Sequence, residues 1–118
     1  FDWSLVADNG PRFENLTACH LLKWVHFLQD SEGRDVELRY FRDVLGKEVD
    51  FVVVEDRNPI LMVECKWSDS EPDRALRFLK SRFPRCPAWQ ISATGTQDYM
   101  SADGIRVAPA LSLLMALI

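Results

Sequence analysis

Three cysteines, Cys19, Cys65 and Cys86, are too few and too irregularly spaced for a disulfide scaffold. Any pairing leaves one over, and none stands in a CxxC pair. That usage fits a reducing, cytoplasmic setting. Cys19, His20 and His26 make a poor zinc set, because adjacent residues on a helix point in different directions. No apolar run approaches the ~18–20 residues that span a bilayer, and no basic stretch ahead of a hydrophobic one marks a signal peptide. A membrane is therefore not an expected partner. Internal repeats, low-complexity tracts and long linkers are missing, and so is a GxxxxGK[ST] phosphate loop, so these 118 residues encode no recognisable ATP site. Excess positive charge is absent as well. Fourteen Lys and Arg stand against 18 Asp and Glu, a net charge of −4, which argues against blanket neutralisation of nucleic-acid phosphates. It leaves room for a nucleic-acid enzyme whose carboxylates are matched by a divalent metal.

What is present describes one globular domain over residues 1–118: the apolar fraction is 47%, enough to exclude disorder and build a core. The chain opens on Phe1 rather than Met, which suggests a piece of a longer protein. After Asn9-Gly10-Pro11 a helix is expected from Pro11 or Arg12 to near Gln29. Phe13, Leu16, His20, Trp24, Phe27 and Leu28 recur along it at three- and four-residue steps, and Glu14 aligns with an inward row of Ala18, Leu21, Val25 and Leu28. Alternation of Val36, Leu38 and Tyr40 predicts a strand over 36–42, followed by a turn at Val44-Leu45-Gly46-Lys47. The β-branched runs at 48–55 and 60–67 predict two central strands around a turn at Asp56-Arg57-Asn58-Pro59. Ser70, with Pro72 and Asp73 behind it, reads as the cap of a second helix. Its buried side is expected to be Ala75, Leu76, Leu79 and Phe83, and Pro84 ends it. Residues 88–93 predict a fourth strand and 105–107 a short fifth. A last helix has Pro109 in its first turn and Leu111, Leu114 and Met115 facing inward. The fold class is α/β: a central mixed sheet of four to five strands flanked by helices. Trp24 and Trp89 are expected in the core, Trp3 and Trp67 partly exposed.

Chemistry concentrates at Asp50 and Glu64-Cys65-Lys66. Side chains alternate along a strand, so Glu64 and Lys66 share a face and Cys65 points the other way. Pairing Val54 with Ile60 puts Val52 opposite Met62, Asp50 opposite Glu64 and Glu48 opposite Lys66. The other face then matches Val53 with Leu61, Phe51 with Val63 and Val49 with Cys65. This register sets two carboxylates side by side, and like charges there are destabilising unless a proton or a cation joins them. A hard ion such as Mg²⁺ or Mn²⁺ takes one or two carboxylates plus water and phosphate. Lys66 stands one strand step away, suited to orienting water or offsetting charge on a phosphate. The basic residues Arg74, Arg77, Lys80, Arg82 and Arg85 follow, and for the last three helix-end compensation is the simpler reading.

Glu14 on a helix, Asp50 on one strand and Glu64-x-Lys66 on the next resemble the PD-(D/E)xK nuclease superfamily, whose shared core has the same order of helix, three strands, helix and strand. The runs FENLTACHLLKW, ELRYFRD and EVDFVVVEDRNPILMVECKWSD resemble the C-terminal domain of many bacterial and archaeal AAA+-type ATPases, which is grouped with that superfamily. The likeness extends over roughly residues 2–110, with Val49 where many members carry Pro. It implies a restriction-endonuclease-like core and Mg²⁺ held by Asp50, Glu64 and the main-chain carbonyl of Cys65. Glu14 would assist at the metal and Lys66 would position the attacking water. Gln90 would be a further polar residue of the site. The implied function is Mg²⁺-dependent hydrolysis of DNA beside an ATPase domain of the same parent chain, ATP acting only through that other domain. The alternative is a non-catalytic module that docks nucleic acid, protein or the ATPase. The apolar closing run, Leu111 to Ile118, offers a surface for that docking or for self-association.

Overall fold

The computed structural model describes residues 9–117; Trp3 and Ile118, for which exposure and docking roles were expected, lie outside them. One long helix, α1 (Asn9–Glu32), leads into three strands, β1 (Val36–Arg42), β2 (Glu48–Glu55) and β3 (Asn58–Lys66). Helix α2 (Arg74–Arg82) returns the chain to β4 (Ala88–Ser92). A two-residue strand β5 (Tyr99–Met100), β6 (Ile105–Pro109) and helix α3 (Ala110–Ala116) complete it. The sheet is mixed and six-stranded, in the order β1-β2-β3-β4-β6-β5. Strands β1 to β3 are antiparallel, β3, β4 and β6 are parallel, and β5 runs antiparallel to β6. Strand β5 had no expectation in the sequence, being too short to carry a period.

The sheet separates two cores. On one side Leu21, Val25 and Leu28 of α1 and Leu113 of α3 pack with Val53, Val63, Cys65 and Ile91. On the other, Ala75, Leu76 and Leu79 of α2 pack with Val49, Val52, Met62, Ala88 and Ile105. In α1 the inward row is the one through Leu21, while Leu16 and Phe27 remain more than half exposed. Trp24 and Trp89 are half-buried against the first core, and Trp67 is exposed. The last helix turns differently from its expected pose. Leu113 is its buried residue, Leu111 and Met115 face solvent, and Pro109 is the cap rather than part of the first turn. Phe83 likewise leaves the buried side of α2, because it is the residue after the helix and its backbone turns away.

Two irregularities shape the hairpins. Between β1 and β2, Arg39 pairs with Val52 and Phe41 with Val49, so β2 carries one extra residue in the stretch Asp50-Phe51. Such a bulge re-aims side chains. Val49 and Val52, three apart, therefore face the same core. Val49 is thus not the partner of Cys65 expected from strict alternation, since Cys65 packs in the opposite core. Glu48 pairs with Arg42 at 2.7 Å instead of with Lys66.

Between β2 and β3 the expected pairs Phe51–Val63, Val52–Met62 and Val53–Leu61 all form, but Val54 pairs with Pro59 rather than Ile60. Pro59 has no N–H to give the ladder, and a shift beside it is the usual accommodation. The result is a two-residue turn in which Asp56 (φ 50°) and Arg57 (φ 71°) are both left-handed, the backbone of a type I′ turn. Arginine in that region costs about 1–2 kcal/mol relative to glycine before glycine's greater unfolded-state entropy is counted. Arg57→Gly should therefore raise stability by about 0.5–1 kcal/mol, read as a higher urea midpoint at unchanged slope. A lower midpoint would mean that the Arg57 side chain contributes more than its backbone costs.

Candidate functional site

The bulge on β2 and the C-terminal end of β3 meet at the site. There the side chains replace the ladder. The Asp50 N–H donates to Glu64 Oε1 at 3.0 Å, and the Cys65 N–H donates to Asp50 Oδ2 at 2.9 Å. Each carboxylate thus commits one oxygen to the opposite strand's backbone, which holds the two groups together. Glu64 is only 7% exposed. Burial first, and the nearby charge of Asp50 second, push its carboxyl up to about 8. Burial also raises Asp50, against the pull of the Cys65 N–H. The pair therefore keeps a proton between its members well above the usual carboxylate range.

Lys66 projects from the same face of β3. Its Nζ is 3.5 Å from Glu64 Oε2 and 2.9 Å from Asp73 Oδ2. Burial pulls its ammonium down, but the bond to Asp73 and the charges of Asp73 and Glu64 more than reverse this and leave it raised. Asp73 sits at the N-terminus of α2, and its Oδ1 accepts from the N–H groups of Ala75 and Leu76. Asp73, and not Ser70, is thus the helix cap. Burial raises its carboxyl, and the Lys66 and N–H bonds together bring it below the usual value.

Gln90 reaches the site from β4, where it pairs with Glu64 in the parallel ladder. It is buried, and its amide is spent on the loop ahead of α2. Oε1 accepts from the Asp73 N–H at 2.7 Å, and Nε2 donates to the carbonyls of Ser70 (3.1 Å) and Glu71 (2.9 Å). A second tie lies just beyond. The N–H groups of Thr96 and Gln97 donate to Asp69, and Thr94 donates twice to the Trp67 carbonyl. A Cβ on Gly95 would come within 2.5 Å of Ser92 Oγ and 2.8 Å of Asp69 Cγ, so any side chain there would have to displace the Asp69 carboxylate and the Ser92 hydroxyl.

Of the residues singled out from the sequence, Asp50, Glu64 and Lys66 come together, the Cys65 backbone takes part through its N–H, and Gln90 lies behind them. The Cys65 thiol lies in the apolar core, where burial pushes it up to about 12. Glu14 is exposed on α1, and its charge is felt at that thiol. Among the described residues no three His, Cys, Asp or Glu side chains converge to hold a metal ion, so Glu14 does not complete a triad with Asp50 and Glu64. Two oxygen-donor carboxylates held side by side, Glu64 buried and Asp50 half-buried, nonetheless fit a hard divalent ion, which commonly takes no more than that from the protein. Asp73 is the residue that sequence reasoning missed as a member of the site. Its signal was an Asp directly before the run Arg74-Ala75-Leu76, read as the residue three positions after a Ser70 cap instead of the cap itself.

The basic residues after the site are largely engaged elsewhere. Lys80 Nζ donates to the carbonyls of Pro84 and Cys86, Arg77 pairs with Asp103, and Arg82 lies over the Phe78 ring. No helix among the described residues is long and apolar enough to cross a membrane.

Fold and site define an α/β domain with a partly buried acidic pair and a lysine at the end of its central hairpin. The chain belongs to the family described as domain of unknown function DUF4143, which matches residues 9–113 and is known from AAA-ATPase-associated contexts. No curated protein and no solved structure matches it.

Proposed function

We propose that this domain has a restriction-endonuclease-like core and hydrolyses phosphodiester bonds of DNA with the help of a divalent metal, working beside an ATPase domain. The observation that carries the reading is the Asp50–Glu64 pair, a half-buried carboxylate and a buried one pinned by reciprocal backbone bonds, with an ammonium 3.5 Å from the buried one. Asp50 and Glu64 would hold Mg²⁺ or Mn²⁺. Such an ion supplies charge to polarise a phosphate and to activate water. Lys66 would orient that water and offset charge on the phosphate. Glu14 would act at most through water, and Gln90 through the loop it grips.

The test is Mg²⁺- and Mn²⁺-dependent cleavage of single-stranded, duplex and branched DNA, with Asp50→Asn and Lys66→Ala beside the wild type. Cleavage by the wild type alone, lost at least 100-fold in both variants as for removal of a main electrostatic group, is the expected result. A divalent-dependent rise in Tm that Asp50→Asn abolishes accompanies it, by linkage. Wild-type inactivity on every substrate together with no metal-dependent rise rejects the reading. One observation favours a second reading, a non-catalytic assembly module. Leu111 (66% exposed) and Met115 (62% exposed) on α3 leave an apolar surface that the described residues do not cover. Concentration-dependent association lost in Leu111→Ser/Met115→Ser would support it.

A further inference from the structure

We propose that Asp73 is the positioning residue for Lys66, and that the buried amide of Gln90 holds Asp73 to that task. The proposal rests on Lys66 being a working residue of the site described above, and its test separates the two ideas.

A lysine side chain has four rotatable bonds and is fixed only when its ammonium is held. Glu64 alone holds it loosely, at 3.5 Å, while Asp73 Oδ2 holds it at 2.9 Å. Asp73 cannot follow Lys66 if the lysine strays. Its other oxygen accepts from two N–H groups in the first turn of α2. That helix is anchored in turn by the buried side chains of Ala75, Leu76 and Leu79. The backbone before Asp73 is held with equal firmness, because Gln90 gives both a carbonyl and an amide group to the segment from Ser70 to Asp73. Gln90 is 2% exposed and adjacent to Glu64 in the β3–β4 ladder. Neighbouring strands therefore deliver two parts of one device: Glu64 to the acidic pair directly, and Gln90 to the loop that aims the lysine at it. Nothing in this arrangement requires Asp73 to touch a substrate. Its part is to choose where Lys66 points.

Asp73→Ser and Asp73→Asn separate this role from the helix cap, since Ser and Asn cap as well as Asp. The Lys66 ammonium is followed in a nitrogen-15 lysine side-chain spectrum, assigned by the loss of its signal in Lys66→Arg. A held ammonium exchanges its protons slowly and gives a signal. That signal is expected in the wild type and in Glu64→Gln, and is expected to vanish in both Asp73 variants while their Tm stays near the wild type's. A signal that survives Asp73→Ser, or is absent from the folded wild type, overturns the proposal. Where the wild type cleaves DNA, both Asp73 variants should lower kcat by ~10–100-fold at little-changed KM, as loss of a supporting contact does. Undiminished kcat in Asp73→Ser also overturns it. A wild type that cleaves nothing and shows no metal-dependent rise in Tm rejects the nuclease reading, and the ammonium signal then decides the positioning role alone.

Discussion

In metal-free buffer the wild type should lose stability steadily as pH rises from about 5 to about 9, and Glu64→Gln should flatten that decline. Glu64 ordinarily titrates near 4.5, and burial beside Asp50 takes it to about 8 in the folded protein. Its folded value is raised, so the contribution is fully present below 4.5, where both states hold the proton. It is lost progressively as pH climbs through 8, because only the unfolded chain gives up its proton easily. Asp50 is raised too and acts in the same direction, the two sharing a proton. At about 1.4 kcal/mol for each pH unit, the pair accounts for a few kcal/mol over this window. Asp73 works in the opposite sense. Its lowered carboxyl contributes stability above its ordinary 3.8 that is lost as the pH falls further. The two trends put the optimum near pH 5, not at neutrality.

The glutamine variant keeps an oxygen to accept the Asp50 N–H and carries no charge to bury. At pH 9 it should exceed the wild type by about 2 kcal/mol, half or less of the full pair contribution. Melting curves across that pH range decide the matter. A wild-type Tm that stays level between pH 5 and 9 would show that the pair is ionised without strain and has no proton to lose. The same strain is the opening for a divalent ion under the proposed function, since a cation that takes the proton's place removes the repulsion.

Much of this site could be read from sequence, and the reason is local. Apolar residues at 51–53 can match those at 61–63 in one way only, because a one-residue slip would turn every side chain over. That pattern alone fixes Asp50 near Glu64. Beyond those pairs the reading fails wherever one extra residue enters a strand. The bulge at Asp50-Phe51 leaves no mark in a run such as EVDFVVVE, where either face can be apolar. Val49 and Glu48 were misassigned for that reason. Helix α1 carries two apolar rows, and the choice between them is made by the sheet beneath. In α3 every residue but Ser112 is apolar, so orientation is set by Leu113 finding a place beside Val63 and Ile91. The start of α2 was ambiguous between Ser70 and Asp73. It is settled 17 residues further on, by the Gln90 amide that binds the Asp73 N–H. A buried glutamine's partners are long-range, and no spacing rule reveals them.

Gln90→Met should cost about 3 kcal/mol, a fall in Tm of roughly 10 °C for a domain of this size. Methionine has nearly the shape of glutamine, so no cavity opens and the loss measures hydrogen bonding. Three bonds go: the Asp73 N–H loses its acceptor, and the carbonyls of Ser70 and Glu71 lose their donor. Each group left unsatisfied inside costs about 1–3 kcal/mol. Glu71 is exposed and recovers water, which brings the sum toward the lower end. Chemical denaturation at pH 7 measures this directly, and a variant as stable as the wild type would mean that the loop is held by other contacts. The comparison with Asp73→Ser carries the stronger inference. Both substitutions should free Lys66, one by releasing the loop and the other by removing the anion. Only the first should destabilise the domain appreciably, since serine preserves the cap of α2. Two variants alike at the lysine and unlike in stability would show that the Gln90 amide acts on the site through Asp73, with the fold as the lever.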